Sequence, residues 1–204
     1  SLVLRRDLVV RLNRHRQSIT GPIRKSREEL KESILTSGRF QRFMDTYAEN
    51  RSIPIHEVRR KAAALIEEIA ANYKPAFIKI ASVIVAWITR TMFDGVATNH
   101  EVLNKVKSMS HKGPLVLIPC HKSHIDYLIL DYVLYHNNLQ VPHIAAGKNL
   151  SFWPMGPLFR SGGAFFLRRS FAGAVLYARV FAEYIHKLLE EGYHIEQFIE
   201  GGRS

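Results

Sequence analysis

With 204 residues, 47% of them hydrophobic and 23% charged, the chain carries enough apolar mass for one good core with a small helical region beside it, which excludes a disordered tail. A formal charge of +11 implies an anionic partner: nucleic acid, a membrane surface, an acidic carrier protein or a phosphorylated small molecule. The single cysteine, Cys120, excludes an internal disulfide and a cysteine-based zinc site.

The first 27 residues place eight basic side chains (Arg5, Arg6, Arg11, Arg14, Arg16, Arg24, Lys25, Arg27) against Asp7 alone, interleaved with Leu2, Leu4, Leu8, Val9, Val10 and Leu12. Such a basic amphipathic segment suits either a helix packed on a neighbour or contact with an anionic membrane surface. Ser26-Arg27-Glu28-Glu29 reads as a capping box opening a helix that ends near Gly38, and residues 39–50 and 54–73 continue the helical period. After Pro75 comes a strongly apolar helix whose uncharged stretch, residues 80–89, lies between Lys79 and Arg90. That stretch falls short of the roughly 20 apolar residues a bilayer span requires, so no span is expected. Two readings stay open for it: a buried core helix, or a helix in the membrane interface anchored by Trp87 and Arg90.

From Gly113 short apolar runs (residues 115–119, 141–146, 164–167 and 195–200) alternate with longer amphipathic ones (125–135, 152–159 and 172–189). This alternation predicts an α/β fold, a largely parallel sheet covered by helices, preceded by an all-helical amino-terminal region. The expected domains are residues 1–93, helical, and residues 94–204. In such sheets sites gather at the carboxyl ends of strands.

Three blocks carry chemistry. His121 and Asp126, five residues apart after the first apolar run, suit a proton-transfer pair in which the carboxylate orients the ring and the free ring nitrogen accepts a hydroxyl proton. Ser123 suits a helix cap better than a nucleophile, since no Gly-x-Ser-x-Gly elbow surrounds it. His121, His124 and Asp126 can be drawn as a metal site, yet no further ligand cluster completes the sphere, and no metal is expected. Arg168 and Arg169 end the 164–167 run and point in different directions, so that one can clamp a phosphate while the other binds structure. Glu200, Gly201, Gly202, Arg203 and Ser204 place a carboxylate and an arginine around two glycines, where backbone amides can approach a small polar ligand.

In this order, His-x4-Asp, a strand ending in Arg, and a Glu-Gly loop, the blocks resemble the glycerolipid acyltransferases, and most closely their bacterial membrane-bound glycerol-phosphate branch. The similarity runs from about Asp94 through Pro119-Cys120-His121, Pro142-His143-Ile144-Ala145-Ala146-Gly147, Phe152-Trp153-Pro154 and residues 163–169 to Ser204, and is weaker before Asp94. It implies acyl transfer from acyl-CoA or acyl-[acyl carrier protein] to the 1-hydroxyl of sn-glycerol 3-phosphate, with no metal or other cofactor. It also implies a peripheral or monotopic place on the cytoplasmic side of the inner membrane, among anionic lipids. By the same resemblance His121 is the general base, Asp126 its orienting partner, and Arg168 and Arg169 the substrate-binding arginines, with Arg169 on the phosphate. Glu200, Gly201, Gly202, Arg203 and Ser204 then form the glycerol-phosphate loop.

Two features depart from the family pattern: Lys122, where Arg is usual, and the end at Ser204, beyond which the family continues with a Pro-containing block. The chain is therefore expected to be a piece of a longer enzyme. The relatives acting on dihydroxyacetone phosphate or lysophosphatidate share the first block, but Gly201-Gly202 favours the glycerol-phosphate branch over them. A non-catalytic module binding anionic lipid is the remaining alternative. Nucleic acid is not an expected partner, because no zinc-finger spacing, RNP pattern or suitable Gly-x-x-Gly clamp is present.

Overall fold

The computed structural model describes residues 25–92, 96–120 and 126–198. They fall into two compact units: one holds Lys74–Ile144 and the chain from Glu191 onward, the other Lys25–Tyr73 and Ala145–Glu190. The expected boundary at 93/94 lies inside the first of these. The basic segment before Lys25 lies outside the described residues.

The second unit opens with α1 (Arg27–Leu35), α2 (Gly38–Arg51) and α3 (Ile55–Ile69). The predicted capping box is present: Glu29 N–H donates to Ser26 Oγ at 3.2 Å and Ser26 N–H donates back to Glu29 Oε2 at 2.6 Å, satisfying amides the helix itself cannot. Helix α2 stops at Ser52, whose left-handed backbone (φ 52°) turns its amide onto the carbonyls of Ala48 and Glu49. Apolar residues recur at helical spacing on one side of each: Leu30 and Ile34, then Phe40, Met44 and Ala48, then Val58, Ala62, Ile66 and Ile69. These faces close over β3 (Ala164–Leu167) and α8 (Val175–Glu190), which follow β2 (His143–Gly147), a 3-10 turn (Lys148–Leu150) and α7 (Met155–Ser161). Phe165, Phe166, Tyr177, Val180, Tyr184 and Leu188 fill the centre at 2% exposure or less; each such side chain contributes roughly 1.5–3 kcal/mol on leaving water.

The first unit contains α4 (Pro75–Met92), α5 (His100–Ser110), β1 (Val116–Leu117), α6 (Asp126–His136) and β4 (Ile195–Glu196). Helix α5, which periodicity did not single out, is capped by Asn99, whose side chain accepts from the amides of Glu101 and Val102. The sheet order is β1-β4-β2-β3, with β4 parallel to both neighbours, as expected of this fold class. The division between units falls within β2, after Ile144.

Helix α4 is longer than its uncharged stretch. It has 18 residues, about 27 Å at 1.5 Å per residue, because residues on both sides of the uncharged stretch join it, and by length and composition alone it is apolar enough to cross a membrane. Of the two readings left open for it, the buried core helix does not hold, since only 17% of it is buried. Ile80, Val83, Ile84 and Trp87, one face at i, i+3, i+4 and i+7, are 51–64% exposed, while Ile78, Ser82, Val85 and Thr89 form the buried side toward α6. The buried hydroxyls bond to their own helix, Ser82 to the Lys79 carbonyl and Thr89 to that of Ala86.

Candidate active site

In the first unit β1 and β4 run side by side in register, Val116 opposite Ile195 and Leu117 opposite Glu196. The amides of Ile195 and Gln197 each donate at 2.9 Å, to the carbonyls of Leu115 and Leu117. Being parallel, both strands deliver the described chain, as far as Cys120 after β1 and Phe198 after β4, to one end of the sheet. Asp126 is the first residue of α6, where open helix amides favour a carboxylate. His121, Ser123, His124, Glu200, Gly201, Gly202, Arg203 and Ser204 lie outside the described residues.

Beneath this rim the interior is polar. Glu196 is fully buried between β1 and β2, and neither carboxyl oxygen meets a hydrogen-bond donor among the described residues. Burial pushes its carboxyl up to about 7. Asp131 on α6 is held well above the ordinary carboxylate range, first by burial and then by the charge of Glu196. His194, 5% exposed, is pushed down to about 4 by burial; its Nδ1 accepts the Leu115 amide at 3.1 Å, which requires the neutral ring. A carboxylate at the second position of a predicted strand was the available sign of Glu196. Asp131 carries no such sign, because a polar residue on an amphipathic helix normally faces water.

In the second unit the two arginines after β3 have different surroundings, and Arg168, expected among the substrate-binding residues, is engaged within the fold. Arg168 turns back into the fold: its Nε and Nη2 grip Glu68 of α3 at 2.7 and 2.8 Å, its guanidinium lies 4.4 Å from the centre of the Tyr177 ring, and its amide donates to the Tyr177 hydroxyl at 3.0 Å. Lys148 adds a third contact to Glu68 at 2.9 Å. Arg168, by its hydrogen bonds, and then Lys148 hold the Glu68 carboxyl down at about 2, against the opposing effect of burial. Arg169, the next residue, is exposed. Nothing local marked Glu68, since it and Arg168 stand 100 positions apart. Among the described residues no group of His, Cys, Asp and Glu is arranged to hold a metal ion.

The model of the acyltransferase family matches residues 97–204, more than half of the chain and all three blocks. The chain belongs to the acyltransferase family. Over 96% of its length this acyltransferase chain is 42% identical to proteins named glycerol-3-phosphate acyltransferase from Shewanella denitrificans and Shewanella oneidensis, and 41% identical to one from Shewanella woodyi. It spans about a quarter, 24%, of the length of those curated relatives. The similarity therefore includes the helical region before residue 94, which the family model does not reach.

Proposed function

We propose that the protein carrying this chain is a glycerol-3-phosphate 1-O-acyltransferase, taking its acyl group from acyl-CoA or acyl-[acyl carrier protein]. The observation that carries the reading is the 42% identity, over 96% of the chain, to relatives of that name. In this reading His121 accepts the proton of the 1-hydroxyl as that oxygen attacks the thioester carbonyl, with Asp126 orienting the ring. The carbon–sulfur bond then breaks, the proton passes to the departing thiolate, and lysophosphatidate is left. The reaction balances with no metal and no cofactor. Arg169 is the phosphate contact, with the fork geometry phosphate recognition favours. Glu200, Gly201, Gly202, Arg203 and Ser204 close around the glycerol phosphate.

The same proposal puts the protein on the cytoplasmic surface of the inner membrane. The apolar face of α4, flanked by exposed Lys79 and Arg90, and the basic residues before Arg27 suit an anionic bilayer as partner.

Lysophosphatidate formation by the full-length protein, followed by mass spectrometry with glycerol 3-phosphate and dihydroxyacetone phosphate in competition, tests the reading. Wild type is expected to acylate the alcohol preferentially, and His121→Ala to lose at least about 100-fold in turnover, the lower range for a positioned general base. Undiminished turnover in His121→Ala sinks the mechanism, and preference for the ketone moves the protein to the neighbouring branch.

A further inference from the structure

Glu68 stands where a helix disfavours it. It lies next to the last residue of α3, at the negative end of the helix dipole, directly after Glu67. The last turn of α3 has no basic residue of its own, so both carboxylates depend on cations brought by the fold. Arg27 and Lys31 serve Glu67, at 2.8 and 2.7 Å. Glu68 draws its two from the other half of the unit: Lys148 after β2 and Arg168 after β3.

The end of α3 is itself fastened. Arg160 of α7 donates to the carbonyls of Glu68 and Ala70 while its guanidinium lies 4.6 Å from the centre of the Phe166 ring. The Asn72 amide returns a bond to the Arg160 carbonyl at 3.0 Å, and the Ala71 amide donates to the buried Tyr184 hydroxyl, also at 3.0 Å. The Glu68 carboxylate is thus a fixed point, not a mobile surface charge. With Arg168 gripped through both nitrogens and laid on Tyr177, the backbone leaving β3 has one orientation, and the following residue, Arg169, is turned to solvent.

Resting on the reading that Arg169 receives the acceptor phosphate, we infer that Glu68, in the helical region outside the family match, is a positioning residue of the acceptor site. It engages Arg168 and Lys148 and leaves Arg169, the next residue in the chain, for the phosphate. Glu68 touches no reacting atom; it acts through Arg168 and the end of β3.

The test is steady-state kinetics of the full-length protein with acyl-CoA saturating. Glu68→Gln is expected to raise KM for glycerol 3-phosphate about tenfold while kcat stays within about twofold, the mark of lost uniform binding. KM for acyl-CoA stays unchanged, a split that a general loss of folded enzyme does not produce. Glu68→Asp, which keeps the charge, stays within about threefold of wild type, and Arg168→Lys, which keeps charge but loses the fork, reproduces the tenfold rise. If Glu68→Gln does not accumulate, the Glu68→Asp and Arg168→Lys pair decides by the same criterion. The double change of Glu68→Gln with Arg168→Gln is expected to cost no more than either change alone. An unchanged or lowered KM in Glu68→Gln, or full additivity in the double variant, overturns the inference. No acylation of glycerol 3-phosphate by wild type overturns the functional reading itself, a result distinct from active wild type with an indifferent Glu68.

Discussion

The two units of this chain distribute polarity in opposite ways. The second keeps an apolar centre and pairs the carboxylate it buries: Phe165, Phe166, Tyr177 and Tyr184 lie inside, and Glu183, 3% exposed, is gripped by arginines. Glu68 is held by Arg168, and Glu183 by Arg39 through two nitrogens and by Arg179 at 2.9 Å. The first unit buries Glu196, His194 and a carboxyl oxygen of half-buried Asp131 and turns Ile80, Val83, Ile84 and Trp87 outward. A unit of the former kind is stabilised by its own packing. One of the latter kind accepts a stability cost inside and presents a surface suited to something other than water.

Phe166→Ala tests the packed unit most severely. At 1% exposure the ring has no room to relax around the loss, and the expected cost is about 3–5 kcal/mol, read as lost hydrogen-exchange protection in α8. A cost below about 1 kcal/mol would remove the contrast between the units from that side.

Glu196→Gln tests the polar unit, and its effect depends on pH. Below pH 4.5 the carboxyl is protonated in both folded and unfolded chains and costs nothing extra. Between 4.5 and about 7 the unfolded chain releases the proton while the folded one keeps it, so stability falls as pH rises and stays reduced above about 7. That range corresponds to about 3 kcal/mol. Glu196→Gln is therefore expected to strengthen protection of the Ile195 and Gln197 amides at pH 8 by an amount of that order relative to wild type, and to change it little at pH 4. His194 has the opposite slope: its folded value of about 4 means that stability falls as pH drops from 6.5 toward 4. Equal protection differences at pH 4 and pH 8 would show that Glu196 does not titrate in this range.

The smallest stability effect is expected at Trp87, 64% exposed on α4. Trp87→Ser should change stability in solution by less than about 0.5 kcal/mol, yet weaken flotation of the full-length protein with anionic vesicles, since an interfacial tryptophan contributes only where there is an interface. Unaltered flotation would mean that this face meets something other than lipid.

Features built from neighbours in sequence were legible beforehand. The Ser26 capping box, the parallel sheet and the divergence of Arg168 from Arg169 all follow from spacing and backbone periodicity, which a short window contains. The uncharged stretch understates the length of α4, because it stops at Lys79 and Arg90, whereas a helix continues through a charge that can reach water.

Residue order and type alone determined the α/β pattern, the three blocks and the family they indicate, because catalytic chemistry requires particular side chains at fixed local spacing. Only the tertiary structure decided which side of α4 is covered, that Glu196 and Asp131 share an interior, and that Arg168 belongs to Glu68. Burial and long-range ion pairing depend on which distant segment arrives, and here the partners stand as many as 144 positions apart.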